Sequence, residues 1–299
     1  MSLIPFTGPW TRSEAAHLLR RTMFGPTHQQ ITAITNMTMT DAVNQLLTVG
    51  ALNPPLAYDA GETVVSQGQT WVSSLYPSNP VSNQLCEMAR VKSLTGWLMQ
   101  NMNYQSMDIS QKMFFFWHNH FGAAFSSDAR ETYTYMELLR TNSLGNVKQL
   151  VKDVTLNPAM LLFLNGNTNS VQHPNENYAR ELLELFTIGK GDQIAAGDYS
   201  NYTELDVASG AKILSGYLVQ GIRSSTLTAA QTLFLNPLHD TSTKTLSYHF
   251  GNATVTNAGA QEYANYIDII FQQPQVATFL CTELYRFFVN YVLHKYIRT

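Results

Sequence analysis

QHPNENYARELLELFTIGK, residues 172–190, carries the start and stop signals of a helix in the right order. His173-Pro174-Asn175 is a turn signal, and Gly189 with Lys190-Gly191 behind it is a stop. Between them Tyr178, Leu182, Leu185 and Phe186 fall on one arc of a 3.6-residue wheel, with Leu183 at its edge. Glu176, Arg180 and Glu184 lie one turn apart on the opposite side, flanked by Asn177, Glu181 and Thr187. An amphipathic helix ending at Gly189 is expected. The chain as a whole is only 13% charged, about half the usual share, so this concentration of charge needs an explanation. One is a solvated face, on which Glu176–Arg180 and Arg180–Glu184 form i,i+4 pairs worth a few tenths of a kcal/mol each. The other is a buried polar cluster, in which Arg180 organises carboxylates that bind a metal or shuttle protons. Spacing alone favours the solvated face, because exposed i,i+4 pairs are common.

The rest of the chain bounds these readings. Its 299 residues, 44% hydrophobic and 11% aromatic, suffice for a substantial core. A formal net charge of -3 and the absence of a basic stripe argue against a nucleic-acid partner. Cys86 and Cys281 belong to no CxxC pattern and are expected to be buried free thiols, with a single disulfide as the alternative. No apolar run approaches the length of a membrane span. The opening MSLIPFTGPW has neither a basic segment nor an apolar one, so no classical signal peptide is expected, although the Asn, Gln, Ser and Thr content leans toward export. A cytoplasmic and an exported location both stay open.

Helical periodicity dominates in chain order. Thr11-Arg12-Ser13-Glu14 is a capping box opening one helix, Thr27 with Gln30 opens a second, and 41–47 reads as a third. Residues 50–80 hold four prolines, three glycines and no sustained period, a loop that either lines a binding surface or is a variable insertion. Trp71 and Tyr76 are its residues best able to hold a ligand or pack the loop down. Helices are expected at 83–101, 109–121, 127–139, 147–154 and 158–164. The second of these, apolar nearly all round, should be central and buried. His118 and His120, near its end, point about 200° apart if it stays helical, so they cannot share a face; each is then expected to cap the helix C-terminus with one hydrogen bond. Thr203-Glu204-Leu205-Asp206 starts a helix through Leu214, and 221–251 alternates as short strands or an irregular arm. His239-Asp240 within it is a candidate ligand pair. Helices at 261–271 and 274–292 complete a mainly α, multi-helix single domain spanning 1–299.

AAHLLRRTMFGPT (15–27), KMFFFWHNHFG (112–122), HPNENYARELLELFTIG (173–189), the His239-Asp240 pair followed by Lys244, and FLCTELYRFFV (279–289) occur in this order. Together they resemble the bacterial family catalogued as domain of unknown function 1800. The resemblance implies a predominantly helical fold and supplies no reaction. It places the family's signature on Trp117, His118, His120, Asn175, Glu176, Arg180, Glu181 and Glu184. It thereby raises the expectation that the His helix meets the Glu/Arg helix. It also implies further helices after the last block, so a C-terminally shortened member is expected.

Two functional readings follow. The first is a binding or structural protein with a protein or polysaccharide partner, in which the His/Glu/Arg cluster is a structural ion network and Trp117, Asn175 and Asn177 are binding residues. The alternative is a metal-dependent hydrolase. Its metal candidates are His118, His120, Glu176, His239 and Asp240, with Glu181 or Glu184 as general base and Arg180 holding an anionic group. Such ligands suit Zn, Mn or Fe. HExxH and nucleophile-elbow patterns are absent from the sequence.

Overall fold

The computed structural model describes residues 6–124 and 126–291. Residue 292 of the expected last helix and the first five residues of the opening stretch lie outside these. Among the described residues the chain is carried by helices: α1 (Arg12–Thr22), α2 (His28–Thr35), α3 (Met39–Leu47), α4 (Pro80–Asn103), α5 (Ser110–Phe121), α6 (Ala129–Thr141), α7 (Val147–Thr155), α8 (Pro158–Phe163), α9 (Asn177–Glu181), α10 (Glu204–Ile213), α11 (Glu262–Ile270) and α12 (Pro274–Phe288). None is long and apolar enough to cross a membrane.

The starts follow from local chemistry. Both threonine capping boxes form, Thr11 with Glu14 and Thr27 with Gln30, each satisfying two amides that a helix start leaves bare. Thr203 and Asp206 repeat the device at α10. Pro80, Pro158 and Pro274 occupy first helical positions, where a missing N–H costs nothing.

Two cores result. Ala15, Leu19, Met23, Ile34, Ala42 and Leu46 close a small one between α1, α2 and α3. The main core gathers Phe114, Phe116, Trp117 and Phe121 of α5 against α6, α12 and the stretch Leu182–Thr187 that follows α9, as the all-round apolar pattern of that helix requires. Among the described residues the strands form three two-stranded antiparallel pairs. β3 (Tyr217–Gln220) and β4 (Gln231–Phe234) form the longest, with Tyr217 opposite Phe234, while β5 (Lys244–Thr245) meets β6 (Thr254–Val255). These make up the expected arm near 221–251. A third pair, β1 (Gln193–Ala195) with β2 (Asp198–Tyr199), lies between the stop at Gly189 and α10.

Within residues 51–79, Glu62, Trp71 and Tyr76 anchor the segment to the helices. Trp71 and Tyr76 are buried, and the Trp71 indole donates to Ser93 Oγ at 2.9 Å. Glu62 pairs with Arg90 at 2.5 Å, both buried. The Tyr76 ring lies between two guanidiniums, Arg90 at 4.2 Å and Arg130 at 4.5 Å. Its hydroxyl donates to Glu87 and lies 3.2 Å from Asp128 Oδ1, and Asp128 in turn pairs with Arg130 at 2.8 Å. Arg130 also donates to the carbonyls of Ser74, Gly221 and Leu227, tying the arm to the segment. Both cysteines are free; Cys86 is buried, but Cys281 is exposed, since it falls on the outer side of α12.

Candidate functional site

The helix begun at Asn177 does not stay an α-helix. From Leu182 to Thr187 it widens into a π-helical turn, in which the Ile188 N–H donates to the Leu183 carbonyl five residues back. Widening shifts the phase of every side chain beyond it. Leu185, placed on the buried arc by a 3.6-residue wheel, is 53% exposed, while Leu183 at the edge of that arc is fully buried. The helix stops at Gly189, whose φ of +76° suits glycine; a Cβ there would stand 2.7 Å from the Phe279 ring of α12.

Arg180 is the hub of the charged side. It donates to both oxygens of Glu204 at 2.9 and 2.8 Å and to Glu176 at 3.1 Å, with Glu184 at 3.7 Å. The bidentate Glu204 contact holds the guanidinium charged and holds the Glu204 carboxyl below the usual range. The arrangement is neither of the two expected. Its i,i+4 pairs form at a part-exposed site, yet the strongest partner belongs to α10. Glu184 accepts from the buried Tyr202 hydroxyl and from Lys190 at 3.1 Å. Desolvation, then Glu184, pushes the Glu181 carboxyl up. Asn175 accepts the Asn177 amide at 3.0 Å and so caps α9 from the turn before it, while Asn177 itself is exposed. Asn175, Glu176 and Asn177 share an open depression with Thr168 and His173.

The two histidines diverge, as their spacing on an intact helix requires. His120 reaches the π-helical turn: its Nε2 lies 3.0 Å from the Phe186 carbonyl. A carbonyl only accepts, so Nε2 carries the hydrogen and Nδ1 keeps a lone pair. The meeting of the His helix with the Glu/Arg helix is therefore real, but runs through backbone rather than carboxylates. His118 stacks on Phe114 with ring centroids 5.8 Å apart and faces Tyr135 of α6. Its Nδ1 is buried without a hydrogen-bond partner. Burial lowers both imidazoles from the usual value, which keeps them neutral at neutral pH. Neither caps its own helix; the Gly122 amide does so through the His118 carbonyl. Trp117 is buried with its indole on the Ser143 carbonyl at 3.0 Å, which makes it a packing residue of α5.

His239 and Asp240 enter a separate buried group. His239 Nδ1 lies 2.9 Å from the Ser215 carbonyl, and Nε2 lies 3.1 Å from Glu262 without hydrogen-bond alignment. Lys244 donates to Glu262 at 2.6 Å and to the Asp240 carbonyl. Lys244, Glu262 and His239 are all buried.

No hydrogen bond or ion pair among the described residues joins His118 or His120 to Glu176, Glu181, His239 or Asp240, and no three His, Cys, Asp or Glu side chains converge there as metal ligands. The candidates divide among three places: the Arg180 hub, the two faces of α5, and the His239 group. Sequence reasoning missed Glu204, Tyr202 and Glu262, each joined to its partner across a gap no local pattern spans. It also missed Glu131, a buried carboxyl on α6 with no cation paired to it among the described residues.

No curated protein and no solved structure matches the chain. The family model described as "Protein of unknown function (DUF1800)" matches residues 17–296 of the 299. That span takes in the His helix, the Arg180 hub and the His239 group alike, and the chain belongs to this family.

Proposed function

We propose that this chain is one helical domain acting as a binding or structural protein, in which its His, Glu and Arg residues fix helices in register. One observation carries the reading: the Arg180 guanidinium and the His120 Nε2 are spent on the fold. Arg180 is held by carboxylates of two helices, and His120 binds a backbone carbonyl. A buried or half-buried polar network of this kind specifies how helices meet.

The metal-dependent hydrolase reading keeps one supporting observation. His120 is neutral, its Nδ1 retains a lone pair, and it lines a groove of about 450 Å³ with Asn119, Glu283 and Arg286. Elemental analysis of protein purified without chelator or metal-binding tag separates the two. The scaffold reading expects no near-stoichiometric metal, and Arg180→Ala and Glu176→Ala should lower stability by at most about 1 kcal/mol each, since both side chains are part-exposed. A stoichiometric transition metal, lost in His120→Ala while the fold survives, would overturn it in favour of the hydrolase.

A further inference from the structure

We propose that the groove between residues 51–68 and α4 is a binding site for a neutral saccharide. The inference rests on the binding reading above and gives it a place and a ligand class. The groove has a volume of about 820 Å³, within the range of about 300–1,000 Å³ of small-ligand clefts. None of its lining residues is Asp, Glu, Lys, Arg or His. The groove between α1 and α12, similar in size, instead carries Glu14, His17 and Arg21.

Two aromatic rings and several amides line the site, among aliphatic residues such as Leu52, Pro54 and Leu56. Tyr58 is 59% exposed, and Trp97 is half-buried. Asn53 and Gln100 are exposed beside them, and Asn101 uses its Nδ2 on the Trp97 carbonyl, which leaves its Oδ1. A sugar has C–H faces that stack on rings and hydroxyls that both donate and accept, which amides match on both counts. A phosphate, sulfate or uronate would bury its charge here with no cation to meet it.

The groove is also preformed, so little ordering opposes binding. The Trp97 indole donates to the Asn53 carbonyl at 2.7 Å, the Tyr58 hydroxyl to the Lys92 carbonyl at 2.7 Å, and Ser93 Oγ to the Leu56 carbonyl at 2.6 Å. Gly96 lets Tyr58 lie close against α4, since a Cβ there would stand 3.2 Å from the phenol oxygen.

The test is calorimetric titration of the full chain with maltohexaose, cellohexaose and chitohexaose, and with polygalacturonate as the acidic counterpart. At least one neutral hexasaccharide should bind. Tyr58→Ala and Gln100→Ala should each weaken it at least about threefold, and the pair together about tenfold, with thermal midpoints near that of the parent; Tyr58→Phe should retain binding. Four results overturn the inference: no neutral binding at millimolar ligand, binding indifferent to both alanine variants, preference for polygalacturonate, or a self-association that Tyr58→Ala abolishes. Each leaves the scaffold reading standing, because metal content and the Arg180 and Glu176 variants decide that separately.

Discussion

Replacing Glu131 by glutamine should change how stability depends on pH. Glu131 is 3% exposed and no cation pairs with it, unlike Glu62 with Arg90 or Asp128 with Arg130. Burial pushes its carboxyl from the ordinary 4.5 up to about 7, with the Ser126 hydroxyl drawing it down and the nearby Asp128 adding to the rise. Between these two values the folded chain holds a proton that the unfolded chain has released. Stability from this group is therefore full below about pH 4.5 and is lost as pH rises through about 7. A gap of about 2.5 pH units, at about 1.4 kcal/mol per unit, amounts to about 3 kcal/mol. Glutamine keeps the shape without the proton. Urea unfolding of both proteins across the window from about pH 4.5 to about pH 8 measures the difference. The variant should gain about 3 kcal/mol on the parent from the low to the high end, whatever constant offset its amide introduces. Parallel curves, to within about 0.5 kcal/mol, would refute the argument and mean that the carboxylate is ionised inside the fold.

Lys244→Met should destabilise by about 3–5 kcal/mol, because it strands the buried Glu262 carboxylate; adding Glu262→Leu should recover part of that loss in the same denaturant assay, and an unchanged or larger loss would count against a buried charge pair. Leu183→Ala should cost about 2–5 kcal/mol and Leu185→Ala within about 0.5 kcal/mol. Equal costs in thermal melts would contradict those exposures.

Much of the fold was legible because its signals are local. The threonine capping boxes at Thr11, Thr27 and Thr203 act over three residues, and each helix starts where its cap stands. The apolar run of α5 read as central for the same reason. The widening at Leu182 was not legible, since nothing in LLELFT marks it and the surrounding packing selects it. The site was harder still. Arg180 finds Glu204 24 residues away, and Lys244 finds Glu262 18 away, so composition could suggest a charged hub but could not name its partners. Trp71 and Tyr76 were recognisable as residues able to pack the long loop, while the arginines that receive Tyr76 come from α4 and α6.

That Tyr76 sandwich changes what the long segment is in motion. A connection of this length would ordinarily be the first part of a domain to open and the first a protease cuts. Here, lifting 71–76 away would withdraw the ring from both guanidiniums and part Glu87 from its phenol partner. Local opening at 71–76 would thus cost those buried contacts, which an ordinary loop does not have to break. Residues 71–76 should therefore exchange their amide hydrogens more slowly than a loop of this kind, which hydrogen exchange followed by mass spectrometry checks.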